Sequence, residues 1–218
     1  MSCAIFISKK VKLFIVSALN IGCFIFFSNC SAQSKFGIEN YNYLGLPGPG
    51  AVVPMIHFET KQNWYAELRY NYEESQTLSF FAGKIFENDK KFSWKIIPMA
   101  GFSAGNFTGI SIGFDAEASY NAFYISSQSQ YSRAAKKANA NFFFSWSELG
   151  FNISKHLYGG VAMQFTQEVA CRSFEPGLVA GIEVKNFSFP VYVFNPLTQG
   201  CYVVIGINYS CQFSGRKK

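Results

Sequence analysis

Charge is scarce in this sequence: Asp, Glu, Lys and Arg make up 15% of its 218 residues. A soluble β-protein usually covers its water-facing side with about 25–35% charged residues. Long apolar runs are missing after residue 32. A helical membrane span needs roughly 20 consecutive apolar residues, so an α-helical membrane protein is excluded there. The longest basic run is Arg216-Lys217-Lys218, read as a solvated end. A nucleic-acid binder gathers its lysines and arginines on one face, so no nucleic-acid partner is expected. Three of the six cysteines, Cys3, Cys23 and Cys30, lie in the first 32 residues; Cys171, Cys201 and Cys211 remain. An odd set makes no disulfide framework, and no Cys-x-x-Cys spacing supports a zinc site.

What is present begins with an export pattern. Lys9, Lys10 and Lys12 precede an apolar run from Leu13 to Phe27, followed by Ser28, Asn29, Cys30, Ser31 and Ala32. A basic start, a short apolar core and small residues describe a secretory signal peptide over 1–32. Cleavage after Ala32 leaves Gln33 as the new N-terminus. Two other readings compete: a lipoprotein box with Cys30 lipidated, and a retained membrane anchor. The whole chain carries +6, and loss of the three lysines leaves +3 on the remainder.

From residue 33 to 213 turn residues punctuate the chain, and the segments between them alternate with the period of two that marks strands. Trp64, Ala66, Leu68, Tyr70 and Tyr72 share one face; Tyr65, Glu67, Arg69 and Asn71 share the other. Phe142, Phe144 and Trp146 oppose Asn141, Ser145 and Ser147. Leu178, Ala180, Ile182 and Val184 oppose Gly177, Gly181, Glu183 and Lys185. Val203, Ile205 and Ile207 oppose Tyr202, Gly206 and Asn208. The polar faces are mostly Ser, Gly, Asn, Gln and Thr, which suits a barrel lumen. Aromatic residues form 18% of the chain, which suits a lipid-facing band with aromatic girdles.

The expected fold is therefore all-β: an antiparallel up-and-down transmembrane β-barrel of about 12 strands, with 10 or 8 as alternatives. Strands are expected near 35–43, 51–60, 63–73, 76–86, 91–103, 107–116, 118–132, 139–152, 157–167, 176–185, 187–194 and 200–213. The longer connections, 44–50, 133–138, 168–175 and 195–199, all fall at one end, with short turns such as Glu117 and Lys185–Asn186 at the other. Glu87 to Lys90 is the exception. Outer-membrane barrels pair short periplasmic turns with longer outer loops. Residues 214–218 form a basic tail.

The last strand, Cys201 to Phe213 with Gly206 and Tyr209, looks like the C-terminal strand that outer-membrane barrels present to the barrel-assembly machinery. Five residues follow Phe213, and Cys211 stands where an aromatic is expected. The segments Asn63-Trp64-Tyr65-Ala66-Glu67-Leu68-Arg69-Tyr70 and Asn141-Phe142-Phe143-Phe144-Ser145-Trp146-Ser147-Glu148-Leu149-Gly150 resemble uncharacterised small outer-membrane β-barrel proteins of Gram-negative bacteria. That resemblance implies a fold, a location in the cell outer membrane and the lipid bilayer as a partner. It brings no reaction.

The search for chemistry yields little. Leu44 to Gly50 is glycine-rich, but its two prolines remove amide donors and no Gly-Lys-Ser/Thr follows, so it is no phosphate loop. His57 and Glu59 share a face, yet no nucleophile is identifiable. No enzyme, cofactor or metal is expected. Glu67, Arg69, Lys95, Asp115, Glu183 and Lys185 are expected to face the lumen, with Glu67–Arg69 and Glu183–Lys185 as same-face opposite charges. Trp64, Tyr72, Phe92, Trp94 and Trp146 are the girdle candidates. Cys171 and Cys201 could form a disulfide at the outer end. The functional expectation is a structural or surface-interaction barrel. The alternatives are a narrow channel for small solutes, a soluble secreted β-barrel or sandwich binding protein, and a lipid-modifying outer-membrane enzyme.

Overall fold

The computed structural model describes residues 34–45, 50–136 and 140–213. The expected signal peptide, the alternative lipidation at Cys30, the expected basic tail at 214–218 and the middle of the glycine-rich loop lie outside the described residues. Thirteen strand segments are formed: β1 (Ser34–Leu44), β2 (Val52–Glu59), β3 (Trp64–Tyr70), β4 (Thr77–Lys84), β5 (Phe86–Asp89), β6 (Phe92–Gly105), β7 (Gly109–Tyr120), β8 (Phe123–Ala134), β9 (Phe142–Asn152), β10 (Leu157–Glu168), β11 (Arg172–Val184), β12 (Phe187–Phe194) and β13 (Tyr202–Phe213). Apart from β4 and β5, which do not pair with each other, consecutive segments pair antiparallel, and β1 pairs with β13 from Ser34↔Phe213 to Leu44↔Val203.

β4 and β5 are one stave. Both pair with β6 in a single register, Gly83↔Met99 and Phe86↔Ile96. The ladder lapses between them because Pro98 lies opposite Lys84 and has no N–H to donate. The Ile85 amide points the other way and donates to Asn63 O at 2.8 Å, continuing the β3–β4 register by one rung. The barrel therefore has twelve staves and is closed.

The connections sort by length only in part. Those at 60–63, 90–91, 121–122, 153–156 and 185–186 are short; at the opposite end 45–51, 71–76, 135–141 and 195–201 are longer, but 106–108 and 169–171 are short as well. Three expected boundaries are corrected. The turn placed at Glu117 lies at Asn121–Ala122, because Asn121 adopts the left-handed conformation (φ 55°) that a two-residue hairpin needs. The connection placed at 168–175 shrinks to 169–171, since β11 starts at Arg172. The exception at Glu87–Lys90 disappears: Glu87 to Asp89 continue the strand and the turn is Lys90–Lys91.

Facing follows the alternation. Leu68, Phe80, Ile96, Phe102, Ile112, Val161, Leu178, Ile182, Ile205 and Ile207 are large apolar residues exposed on the outer wall. Their inward neighbours include Glu67, Ser79, Ser111, Gln164 and Tyr192, all buried. An apolar exterior around a polar interior is the reverse of a soluble barrel and fits a wall facing lipid.

One strand departs from the expected facing. On β9, Leu149 and Phe151 are exposed, so Phe143, Ser145 and Ser147 share the outer side while Phe142, Phe144 and Trp146 point inward. The run Phe142-Phe143-Phe144 is apolar on both faces and hides the parity. The outward serines satisfy one another: Ser129 with Ser145 and Ser127 with Ser147, both at 2.9 Å.

Candidate functional site

The lumen collects the charged side chains. Its centre on the β3 side is Arg69, 1% exposed, paired through Nη2 with Glu67, also 1% exposed. Arg69 Nη1 donates to Gln130 Oε1 at 2.8 Å, and the guanidinium lies over the rings of Tyr72 (4.4 Å) and Phe81 (4.5 Å). Tyr65 OH donates to the second Glu67 oxygen at 2.8 Å. A buried charge persists only when paired and hydrogen-bonded, and this cluster supplies both.

The connection at 71–76 folds into this cluster. Asn71 (φ 61°) and Gln76 (φ 57°) turn left-handed at its two ends, and Asn71 Oδ1 accepts the Gln76 amide at 2.7 Å. Tyr72 OH donates to Gln128 Oε1, and its ring meets Phe144 edge-on at 5.6 Å. Glu73 accepts a hydrogen bond from Ser79. Tyr72, expected in a lipid girdle, is thus a lumen residue, because β3 ends at Tyr70 and the turn at Asn71 breaks the alternation.

The opposite wall is aromatic. Tyr158, Tyr192, Phe194 and Tyr202 are buried together, with Tyr41, Tyr43, Tyr124 and Trp146 packed on them. Trp146 stacks edge-on with Tyr192 at 4.9 Å and with Phe194 at 5.4 Å. Trp146 Nε1 and Tyr192 OH both donate to Glu148 Oε1, at 3.2 and 2.7 Å. Trp146 is therefore no girdle residue. Trp64, Phe92 and Trp94 do alternate onto the outer face, with Trp64 58% exposed. Sequence reasoning also missed how aromatic the lumen is. The tyrosines of β1 and β12 alternate with smaller residues, a pattern legible only once one wall is known to face in.

Between the two walls lie half-buried side chains: Glu39, Tyr41, Asp115, Gln128 and Glu148. His57 does not use Glu59. Its Nδ1 lies 3.5 Å from Glu39 Oε1, while Glu59 is held by Lys95 at 2.5 Å and Lys35 at 3.8 Å. At the short-turn end the lumen widens into a cavity of about 520 Å³. Glu87, Asp89, Glu117, Glu148 and Glu183 line it against Lys35 and Lys95, with Tyr124 and Tyr158 on its wall.

Of the residues expected to face inward, Glu67, Arg69, Lys95, Asp115 and Glu183 do so. Lys185 sits instead in the turn 185–186 with φ 56°, exposed and outside the lumen, and makes no ion pair with Glu183 among the described residues. Cys171, Cys201 and Cys211 are free, so the expected bridge is absent. Tyr202 and Gly177 are level through their common partner Phe194; Cys201 lies one residue beyond Tyr202 and Cys171 six beyond Gly177 toward the same end, which leaves them five residues apart along the strands. At about 3.3 Å per residue that offset far exceeds the roughly 7 Å between α-carbons that a disulfide spans.

No protein-family model and no curated protein matches this sequence. Solved structures do match in fold. The KdgM porin in complex with disordered oligogalacturonate aligns with TM-score 0.60 and 10% identity, covering 79% of this chain and 98% of that one. A second KdgM porin structure aligns with TM-score 0.59 over the same shares at 10% identity. The outer membrane protein Omp33 of Acinetobacter baumannii aligns with TM-score 0.40 and 10% identity, over 84% and 99%. The chain thus has the twelve-stave fold of a porin.

Proposed function

We propose that this barrel sits in an outer membrane as a narrow channel for small solutes, and that it favours cations. This replaces the structural or surface-interaction role expected from sequence. The observation that carries it is the charge of the lumen. Glu39, Glu59, Glu67, Glu87, Asp89, Asp115, Glu117, Glu148, Glu175 and Glu183 alternate inward, against Lys35, Arg69 and Lys95. A low-dielectric wall focuses such a field along the axis and raises the local concentration of counter-ions. Rings of acidic side chains are the usual device of cation-conducting pores. Oligogalacturonate, present in the similar KdgM structure, is a polyanion that this lining would repel.

The path is tight. Arg69, Tyr72 and Phe81 fill one wall and the aromatic cluster the other, so on this reading small solutes pass along the half-buried side chains between them. Planar-bilayer recordings of the refolded protein test the reading. The expected result is a small conductance with a reversal potential displaced toward cations, increased by Tyr72→Ala. Absence of conductance in both wild type and Tyr72→Ala would leave the barrel a filled scaffold.

A further inference from the structure

The short-turn rim of the barrel carries an unneutralised ring of ammonium groups. Lys61, Lys90, Lys91, Lys155 and Lys185 occupy four of the five connections at this end, and all five lysines are exposed. None of them takes part in an ion pair among the described residues. The carboxylates at this end point the other way: Glu87, Asp89, Glu117 and Glu183 line the inner cavity, and Glu59 is occupied by Lys35 and Lys95. Charge is therefore sorted across the wall, acids inward and lysines outward. The opposite end shows no such sorting, since Glu74 and Glu168 accompany Arg133, Lys136 and Arg172 there.

The ring adjoins the lipid-facing surface. Lys84 Nζ lies 4.8 Å from the centre of the Trp64 ring, and Lys91 Nζ 5.7 Å from that of Tyr120. Trp64, Phe92, Tyr120, Phe151 and Phe187 are exposed at the same ends of their strands. Aromatic side chains of this kind mark the boundary between hydrocarbon and water. Lysines one turn beyond them place their ammonium groups at the level of lipid phosphates, with the aliphatic stems along the apolar wall.

We propose that this collar binds the headgroups of anionic phospholipids in the periplasm-facing leaflet. Position selects a lipid over a soluble polymer, because the cations encircle the wall where lipid touches it. Charge selects an anionic headgroup, because the carboxylates at this end, although exposed, face the cavity and not the lipid that a zwitterion's ammonium would occupy. Basic segments beside a membrane are drawn to anionic lipid surfaces in this way.

The full-length folded protein tests this by native mass spectrometry after reconstitution in mixed phosphatidylglycerol and phosphatidylcholine. The expected result is a retained-lipid preference for phosphatidylglycerol of roughly fivefold or more, about one engaged lysine's worth. It should be lost in K61Q/K90Q/K91Q/K155Q/K185Q and kept in R133Q/K136Q/R172Q at the other end. Equal retention by the collar variant, or loss confined to the other-end variant, overturns the proposal. Lysine acylation of the wild-type protein gives a readout that does not depend on the variant folding. The five collar lysines should be protected in vesicles containing phosphatidylglycerol and reactive in pure phosphatidylcholine; equal reactivity in both overturns the proposal.

Discussion

Arg69 and Glu67 stand two residues apart on one strand, so a period of two places them on one face, and their pairing was legible in the sequence. Their other partners were not: Gln130 is far along the chain, and only the register of the closed barrel brings it to the guanidinium. Truncating one member of a buried pair leaves the other charge uncompensated. Arg69→Ala is therefore expected to destabilise the barrel by about 3–5 kcal/mol, whereas replacing both Glu67 and Arg69 with methionine should cost much less. Urea unfolding in detergent, followed by heat-modifiable gel mobility, separates the two. Equal losses would show that the pair's packing, rather than its charge, holds the site. Tyr72 was misread for a local reason. Nothing in Tyr70-Asn71-Tyr72 announces that Asn71 will turn left-handed, and a strand extended by two residues sends Tyr72 to the wrong side.

At the scale of the strand, alternation decided facing wherever one face was clearly apolar, as on β3, β10, β11 and β13. It failed on β9, where three consecutive phenylalanines and outward serines blur the contrast. The later pair Leu149 and Phe151 against Glu148 and Gly150 carried the right parity and places Trp146 indoors. Hairpin ends are stricter than strand middles. Gly105 has φ 144°, and a Cβ there would lie 2.2 Å from Gln76 O. Gly105→Ala is expected to cost about 1–3 kcal/mol through backbone strain at the mouth of β4 and β6, measured as a lowered unfolding midpoint. The axial offset between the β10–β11 and β12–β13 hairpins makes a matching chemical prediction. Both Cys171 and Cys201 should be alkylated by a maleimide without prior reduction, and a mass increment for neither would contradict the free-thiol geometry.

For the whole molecule, composition proved informative in a way that single motifs were not. Low charge and many aromatics pointed to a membrane barrel, and the loop alternation pointed to twelve strands; both follow from the bilayer as solvent. The filling of the lumen was not legible, because the same tyrosines suit a lipid girdle or an interior stack. If the acidic cavity sets ion preference, E117Q/E148Q/E183Q should shift the reversal potential toward zero while leaving the folded, heat-modifiable form intact. An unchanged potential would move selectivity to the tighter zone around Arg69 and Asp115.

The pairing of Ser34 with Phe213 joins the first and last described residues. Contacts so distant in sequence carry the largest loop-closure entropy and form slowly. Until they form, β1 and β13 each present an unpaired edge able to template association with another chain. A protein ending before Tyr202 would keep such edges permanently and is expected to aggregate instead of reaching the compact, heat-modifiable state. Timing is built into the topology: this barrel cannot complete itself while its own synthesis is still under way.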